Sequence, residues 1–125
     1  MSGMLRLSLA EAEARAVRVL AASGAREENA RPVARALVLA EADGLSGHGL
    51  IRLPTYAAQL RSGKVDGMAA PLAEQVRPGT LRIDAANGFA YPALDLAVER
   101  LCEIAPAQGI AFAGIRRSGH CGAMG

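Results

Sequence analysis

The segment from Thr80 to Ile115 constrains the fold most strongly, because it has the pattern of a strand, a helix and a second strand. T-L-R-I-D-A alternates apolar and polar residues, as a half-buried strand does. A helical repeat follows from Phe89 to Ala107, and the apolar run I-A-F-A-G-I is typical of a strand buried on both faces. Strands joined by a helix run parallel with a right-handed crossover. The sequence therefore predicts an α/β fold.

The first 63 residues predict three helices. Ser8 and Glu11 have the spacing of a capping box, and the apolar repeat that follows them stops at Gly24. Two more helices are predicted, from near Glu27 to Gly44 and from about Gly49 to Arg61.

The segment from Ser62 to Pro78 has no clear period and is interrupted by glycine and proline, so we interpret it as a long connection. The predicted organisation is a helical segment at 1–63, a connection at 64–79 and the start of an α/β domain at 80–125. A parallel sheet of two strands is not a stable end point. We therefore expect the strand-helix-strand unit to be incomplete.

Composition disfavours several classes of partner and compartment. Aromatic residues make up 3% of the chain, so few rings are available to stack on nucleic-acid bases. The net charge is +2 and the charges are not gathered into a basic stripe, which also disfavours binding of nucleic acid. No apolar run approaches a membrane span, and the N-terminus lacks the apolar core of a signal peptide. The two cysteines lack C-x-x-C spacing, which argues against a disulfide framework or a zinc site. We expect a cytoplasmic protein that binds no nucleic acid, membrane or metal.

His48 is the first candidate for chemistry, because glycines flank it and Arg52 follows one helical turn later. An imidazole can give or take a proton near neutral pH, and a guanidinium fork matches a carboxylate. The pair suits a 2-oxo or 2-hydroxy acid. The alternative is a surface histidine beside an unrelated, solvated arginine.

His120 is the second candidate, in the phrase R-R-S-G-H-C-G-A-M-G that follows the second predicted strand. Glycines at 119, 122 and 125 leave backbone N–H groups uncovered, as in loops that bind phosphate, but the spacing is not G-x-G-x-x-G. The alternative is a flexible surface turn. Arg116 and Arg117 allow a phosphate contact or a solvated loop. Cys102 is predicted to be a small buried apolar residue, and Cys121 lacks the third group that a nucleophile needs.

Four phrases in order, A-D-G-L-S-G-H-G-L-I-R-L-P-T-Y, R-S-G-K-V-D-G, D-A-A-N-G-F-A-Y-P-A-L and R-R-S-G-H-C-G-A-M-G, resemble the malate/L-lactate dehydrogenase family over essentially the whole chain. This family has a non-Rossmann fold and includes sulfolactate dehydrogenase-like members. The resemblance implies that residues 80–125 begin a cofactor-binding domain and that hydride passes between NAD or NADP and a small 2-oxo acid. It also implies a homo-oligomer, with a dimer expected.

The resemblance also assigns roles to residues. His48 matches the family's proton donor, and Arg52 matches the arginine that binds the substrate carboxylate. The family usually has serine directly before this histidine, where this chain has Gly47 preceded by Ser46. The cofactor-contacting loop matches His120, Cys121, Gly122, Ala123 and Met124.

Family members are well over twice as long as this chain, so the resemblance implies the N-terminal part of such a dehydrogenase. We expect little or no activity from this part alone. The competing hypothesis is a degenerate, non-catalytic module that associates with itself or with a full-length relative through exposed strand edges.

Overall fold

A computed structural model describes residues 3–124 as four helices and a three-stranded sheet, which confirms the predicted mixed α/β class. Two short 3-10 turns, Ser46–His48 and Leu50–Arg52, lie between the second and third helices. In chain order the elements are α1 (Leu9–Ala22), α2 (Glu27–Ala42), α3 (Leu53–Ser62), β1 (Leu72–Arg77), β2 (Thr80–Asp84), α4 (Ala90–Gln108) and β3 (Phe112–Arg116).

The predicted helices are present with small changes at their ends. The capping box forms at the start of α1, where the Ser8 hydroxyl accepts from Glu11 N–H and the Glu11 carboxylate accepts from Ser8 N–H. The third helix was predicted from Gly49 but begins at Leu53, because Pro54 suits a first helical turn and the preceding residues form 3-10 turns instead.

The sheet has the order β1-β2-β3, with β2 and β3 parallel as predicted and β1 antiparallel to β2. Residues 64–79 were interpreted as a connection without a helix or strand. This interpretation was wrong, because β1 lies within these residues. β1 is an edge strand with mostly exposed side chains, so it has no apolar alternation for sequence to show. The division of the chain at 63 and 79 into separate parts stays a prediction.

Helix α4 covers one face of the sheet and leaves the other open. On the covered face, Leu81 and Ile83 are fully buried against α4, opposite Ala113 and Ile115 of β3. On the open face Phe112 is 63% exposed. The sequence predicted that the strand after α4, which is β3, is buried on both faces. This prediction was wrong within residues 3–124. Cys102, predicted to be buried, is exposed on α4.

A second cluster of buried side chains joins the N-terminal helices to α4 and is the one that positions the candidate site. Leu20 and Leu37 are completely buried in it, and the rings of Tyr56 and Phe89 lie 5.4 Å apart. Val65, from the segment after α3, is also part of this cluster. None of the helices described between residues 3 and 124 has the length and apolarity to cross a bilayer.

Candidate active site

His48 lies at the end of a short 3-10 turn that leaves α2 through Gly44, whose φ is +79°. The side chain of His48 is exposed. The second 3-10 turn, which follows His48, is fixed to α2 by Glu41, whose Oε1 accepts from the backbone N–H of Leu50 at 3.1 Å. Gly49 allows this close approach, because a Cβ there would lie 2.8 Å from the same oxygen. The glycine after His48 therefore has a packing function.

Arg52 is attached to the backbone just before His48. Its Nε donates to the carbonyl oxygen of Gly47 at 2.8 Å. Among residues 3–124, no carboxylate forms an ion pair with Arg52, so its two terminal nitrogens remain available. A guanidinium held at Nε presents these two nitrogens as a fork that fits a carboxylate.

The loop after β3 passes over the N-terminal helical core and reaches His48. Gly119 N–H donates to the carbonyl of Gly88 at 2.8 Å, and Cys121 packs against the helical core. Gly122 N–H donates to the Tyr91 hydroxyl at 3.0 Å. A Cβ on Gly122 would lie 2.7 Å from His48 Nδ1, so the glycine backbone is in direct contact with the imidazole. The structure thus brings two separately predicted motifs together.

Asp84, the last residue of β2, fixes the start of this loop. Its carboxylate accepts two hydrogen bonds from the Arg117 guanidinium, at 2.9 and 2.8 Å, and one from Arg116 at 3.2 Å. Hydrogen bonding from Arg117, followed by that from Ala86 N–H, lowers the pKa of Asp84 to about 2. A carboxylate of the same chain thus engages both arginines, although each side chain stays more than half exposed, so the phosphate contact and the solvated loop both stay predictions.

The remaining predicted loop residues face different surroundings. The exposed His120 lines a cavity of about 230 Å³ with Lys64, Asn87 and other residues, and neither His48 nor Gly122 is part of this lining. Ala123 and Met124 line a separate cavity of about 170 Å³ between α2 and α4. Gly125, the third glycine of the predicted loop pattern, lies outside the described residues.

The His120 cavity is too small to enclose a whole dinucleotide. Lys64 and His120 can meet a phosphate there, but about 230 Å³ is below the range of about 300–1,000 Å³ usual for small-molecule pockets. Within residues 3–124, no three histidine, cysteine or acidic side chains gather as metal ligands would.

Sequence reasoning missed Glu41 and Tyr91. The partner of Glu41 is a backbone N–H nine residues away, which no side-chain spacing reveals. Tyr91 appeared only as one letter of A-N-G-F-A-Y-P-A-L, and its hydroxyl bonds a residue 31 positions away. Only a search for buried tyrosines that need a hydrogen-bond partner would have drawn attention to it.

A family model described as malate/L-lactate dehydrogenase matches residues 7–125. The chain belongs to the malate/L-lactate dehydrogenase family. This confirms the resemblance inferred from the sequence phrases.

Two relatives in the family show the range of named activities. The chain is 45% identical over 119 residues to a (2R)-3-sulfolactate dehydrogenase (NADP(+)) of Chromohalobacter salexigens, a match that covers 95% of this chain and 35% of that protein. It is 41% identical over 120 residues to a Delta(1)-pyrroline-2-carboxylate reductase of Ancylobacter novellus, covering 96% and 35%.

Solved structures of the family share the fold. A delta1-piperideine-2-carboxylate reductase from Pseudomonas syringae has a TM-score of 0.88 and 36% identity, with 92% of this chain and 35% of that chain covered. Malate dehydrogenase from Pyrococcus horikoshii has a TM-score of 0.86 and 28% identity, with 97% and 36% covered. The chain thus spans about a third of the length of these relatives.

Proposed function

We propose that this chain forms part of the active site of an NAD(P)-dependent oxidoreductase acting on small acids. The family members named above act on sulfolactate and on pyrroline-2-carboxylate. Both reactions concern the carbon next to a carboxylate, which is bonded to oxygen in one substrate and to nitrogen in the other. The reduced nicotinamide supplies the hydride to this carbon when the cofactor is bound. The substrate class proposed here is therefore a small 2-oxo acid or its cyclic 2-imino counterpart.

In this proposal the chain's own residues bind the acid and handle the proton. His48 donates a proton to the oxygen or nitrogen of the substrate as hydride arrives, since an imidazole exchanges protons near neutral pH. Arg52 binds the substrate carboxylate through its two terminal nitrogens, while its Nε stays on Gly47. The observation that carries the proposal is the seating of Gly122, from the loop that matches the family's cofactor contact, against the His48 ring.

The cofactor contact is assigned to His120, Cys121, Gly122, Ala123 and Met124. Because the Cys121 side chain packs on the helical core, its contribution is assigned to its backbone. Both NAD and NADP fit the proposal, and the NADP(+)-dependent sulfolactate dehydrogenase favours testing NADP first.

Two surface features support association with further protein. The open face of the sheet exposes Phe112, and the strand edge of β3 has no neighbour among the described residues. We therefore propose that the working enzyme is an oligomer, with a dimer expected, and that the isolated chain turns over slowly or not at all. A non-catalytic module that pairs through the same edge is the second candidate. The free thiols of Cys102 and Cys121 support a cytoplasmic location.

The function can be tested in a chimera in which this chain replaces the matching 35% of the Chromohalobacter sulfolactate dehydrogenase. Binding of NADH and of NADPH is measured by calorimetry, and oxidation of the bound cofactor is followed with pyruvate, oxaloacetate, sulfopyruvate and pyrroline-2-carboxylate. We expect binding and turnover by the chimera and little of either by the isolated chain. A folded chimera that binds NADPH but reduces none of these acids would contradict the proposal and favour the non-catalytic module.

A further inference from the structure

We infer that Tyr91 is a positioning residue, whose hydroxyl holds the backbone of Gly122 against the imidazole of His48. The Gly122 N–H donates to the Tyr91 hydroxyl at 3.0 Å. On its other side Gly122 approaches His48 so closely that a Cβ would lie 2.7 Å from Nδ1 and 3.1 Å from Cγ. One hydrogen bond therefore links the buried Tyr91 to the glycine backbone that lies beside His48.

The tyrosine is well placed to act as a fixed point. Tyr91 is the second residue of α4 and is 5% exposed, within the same cluster as Tyr56 and Phe89. Burial, followed by the neighbouring Tyr91 phenol, raises the pKa of Tyr56. The two phenols thus lie close together in a poorly hydrated region, where a hydroxyl without a partner is costly. Tyr91 meets this requirement by accepting from the loop.

The consequence for the site is that the position of Gly122 within the loop depends on the Tyr91 phenol oxygen. Gly119 N–H fixes the start of the loop to Gly88, and the Cys121 side chain packs on the core. Neither of these contacts touches His48, whereas Gly122 does. The catalytic meaning of this arrangement rests on the proposed role of His48 as proton donor, but the positioning itself does not.

The inference is tested by NMR on the chain, with histidine and glycine labelled and the two imidazoles assigned through His120→Gln. We expect wild type to show a nuclear Overhauser contact between the Gly122 α-protons and the His48 ring. In Tyr91→Phe this contact should be lost, the His48 ring signals should move, and exchange of the Gly122 amide should accelerate by about tenfold, as for loss of one hydrogen bond. The comparison variant is Tyr56→Phe, which removes the neighbouring phenol oxygen but not the acceptor of the Gly122 N–H, and it should leave all three observations in place.

Two results would overturn the inference: an unchanged His48 contact in Tyr91→Phe, or its equal loss in Tyr56→Phe, which would mean a general loosening of the core. Gly122→Ala is the independent variant, because its methyl group should displace the His48 ring while the amide stays protected by Tyr91. If that variant leaves the His48 signals unchanged, the close contact does not exist. These measurements need no turnover, so the inference about Tyr91 can be overturned while the proposed function stands. The proposed function can likewise be overturned while the inference about Tyr91 stands.

Discussion

Asn29 connects α2 to the segment before β1, and its replacement by alanine should cost a calculable part of the folding free energy. Asn29 is 3% exposed, and its Nδ2 donates to the carbonyls of Gly67 at 2.9 Å and Ala69 at 2.7 Å. Gly67 O keeps a second donor, Arg26 N–H, at 3.0 Å. The loss there should be about 0.5–1.5 kcal/mol.

Ala69 O has no second donor among the described residues, and burying it unpaired costs about 1–3 kcal/mol. The expected total for Asn29→Ala is therefore about 1.5–4.5 kcal/mol, a large part of the typical 5–15 kcal/mol of a domain. Urea unfolding followed by circular dichroism measures it, with the slope checked for constancy.

Two controls separate the hydrogen bonds from general effects of mutation. Asn29→Asp keeps the shape but replaces the donor by an acceptor, so it should destabilise at least as much as alanine. Glu28→Gln, an exposed change on the neighbouring residue, should stay within about 0.5 kcal/mol. If Asn29→Ala also stays within about 0.5 kcal/mol, the argument that these two bonds fix the segment to α2 is refuted.

Two further predictions concern the segments that hold the site. Gly49→Ala should destabilise the chain by about 1–3 kcal/mol, because its Cβ would lie 2.8 Å from Glu41 Oε1 and 3.1 Å from the Glu41 Cα. Thermal melts measure this change. The control in these melts is Gly47→Ala, whose Cβ would meet nothing within 4 Å. Asp84 has a folded-state pKa of about 2, below the usual value near 3.9, so its pairing with Arg117 stabilises the fold above about pH 4 and is lost as pH falls toward 2. The free energies of unfolding of wild type and Asp84→Asn, measured as a function of pH, should differ above that window and converge below it. Parallel curves at all pH values would count against the pairing.

The sequence predicted those parts of the fold that local patterns encode. Helical periodicity and the Ser8 capping box located α1, and the strand-helix-strand pattern predicted the parallel pairing of β2 and β3. β1 could not be predicted in the same way, because it is held by pairing with β2 along an exposed edge and not by a buried face. The open side of β3 was also missed, since an apolar run does not show which of its faces has a neighbour.

The candidate site was only partly accessible from sequence for a related reason. The glycine-flanked histidine and the Gly119–Met124 loop were each visible as local phrases. Their contact depends on where α4 places Tyr91 and on the close approach of Gly122 to His48, which are long-range packing facts. Local patterns carry no such information, so the roles of these residues stay predictions until they are measured.

The most direct test of the central claim is the steady-state kinetics of His48→Gln and Arg52→Lys in the chimera, with the exposed Arg61→Lys as control. His48→Gln should lower kcat by about 10²–10⁴-fold, since it removes the proton donor but not the binding of substrate. Arg52→Lys should raise KM by about 10–100-fold, because a lysine cannot reproduce the two-pronged contact. Unchanged kcat in His48→Gln, together with unchanged KM in Arg52→Lys, would show that this site does not carry the reaction.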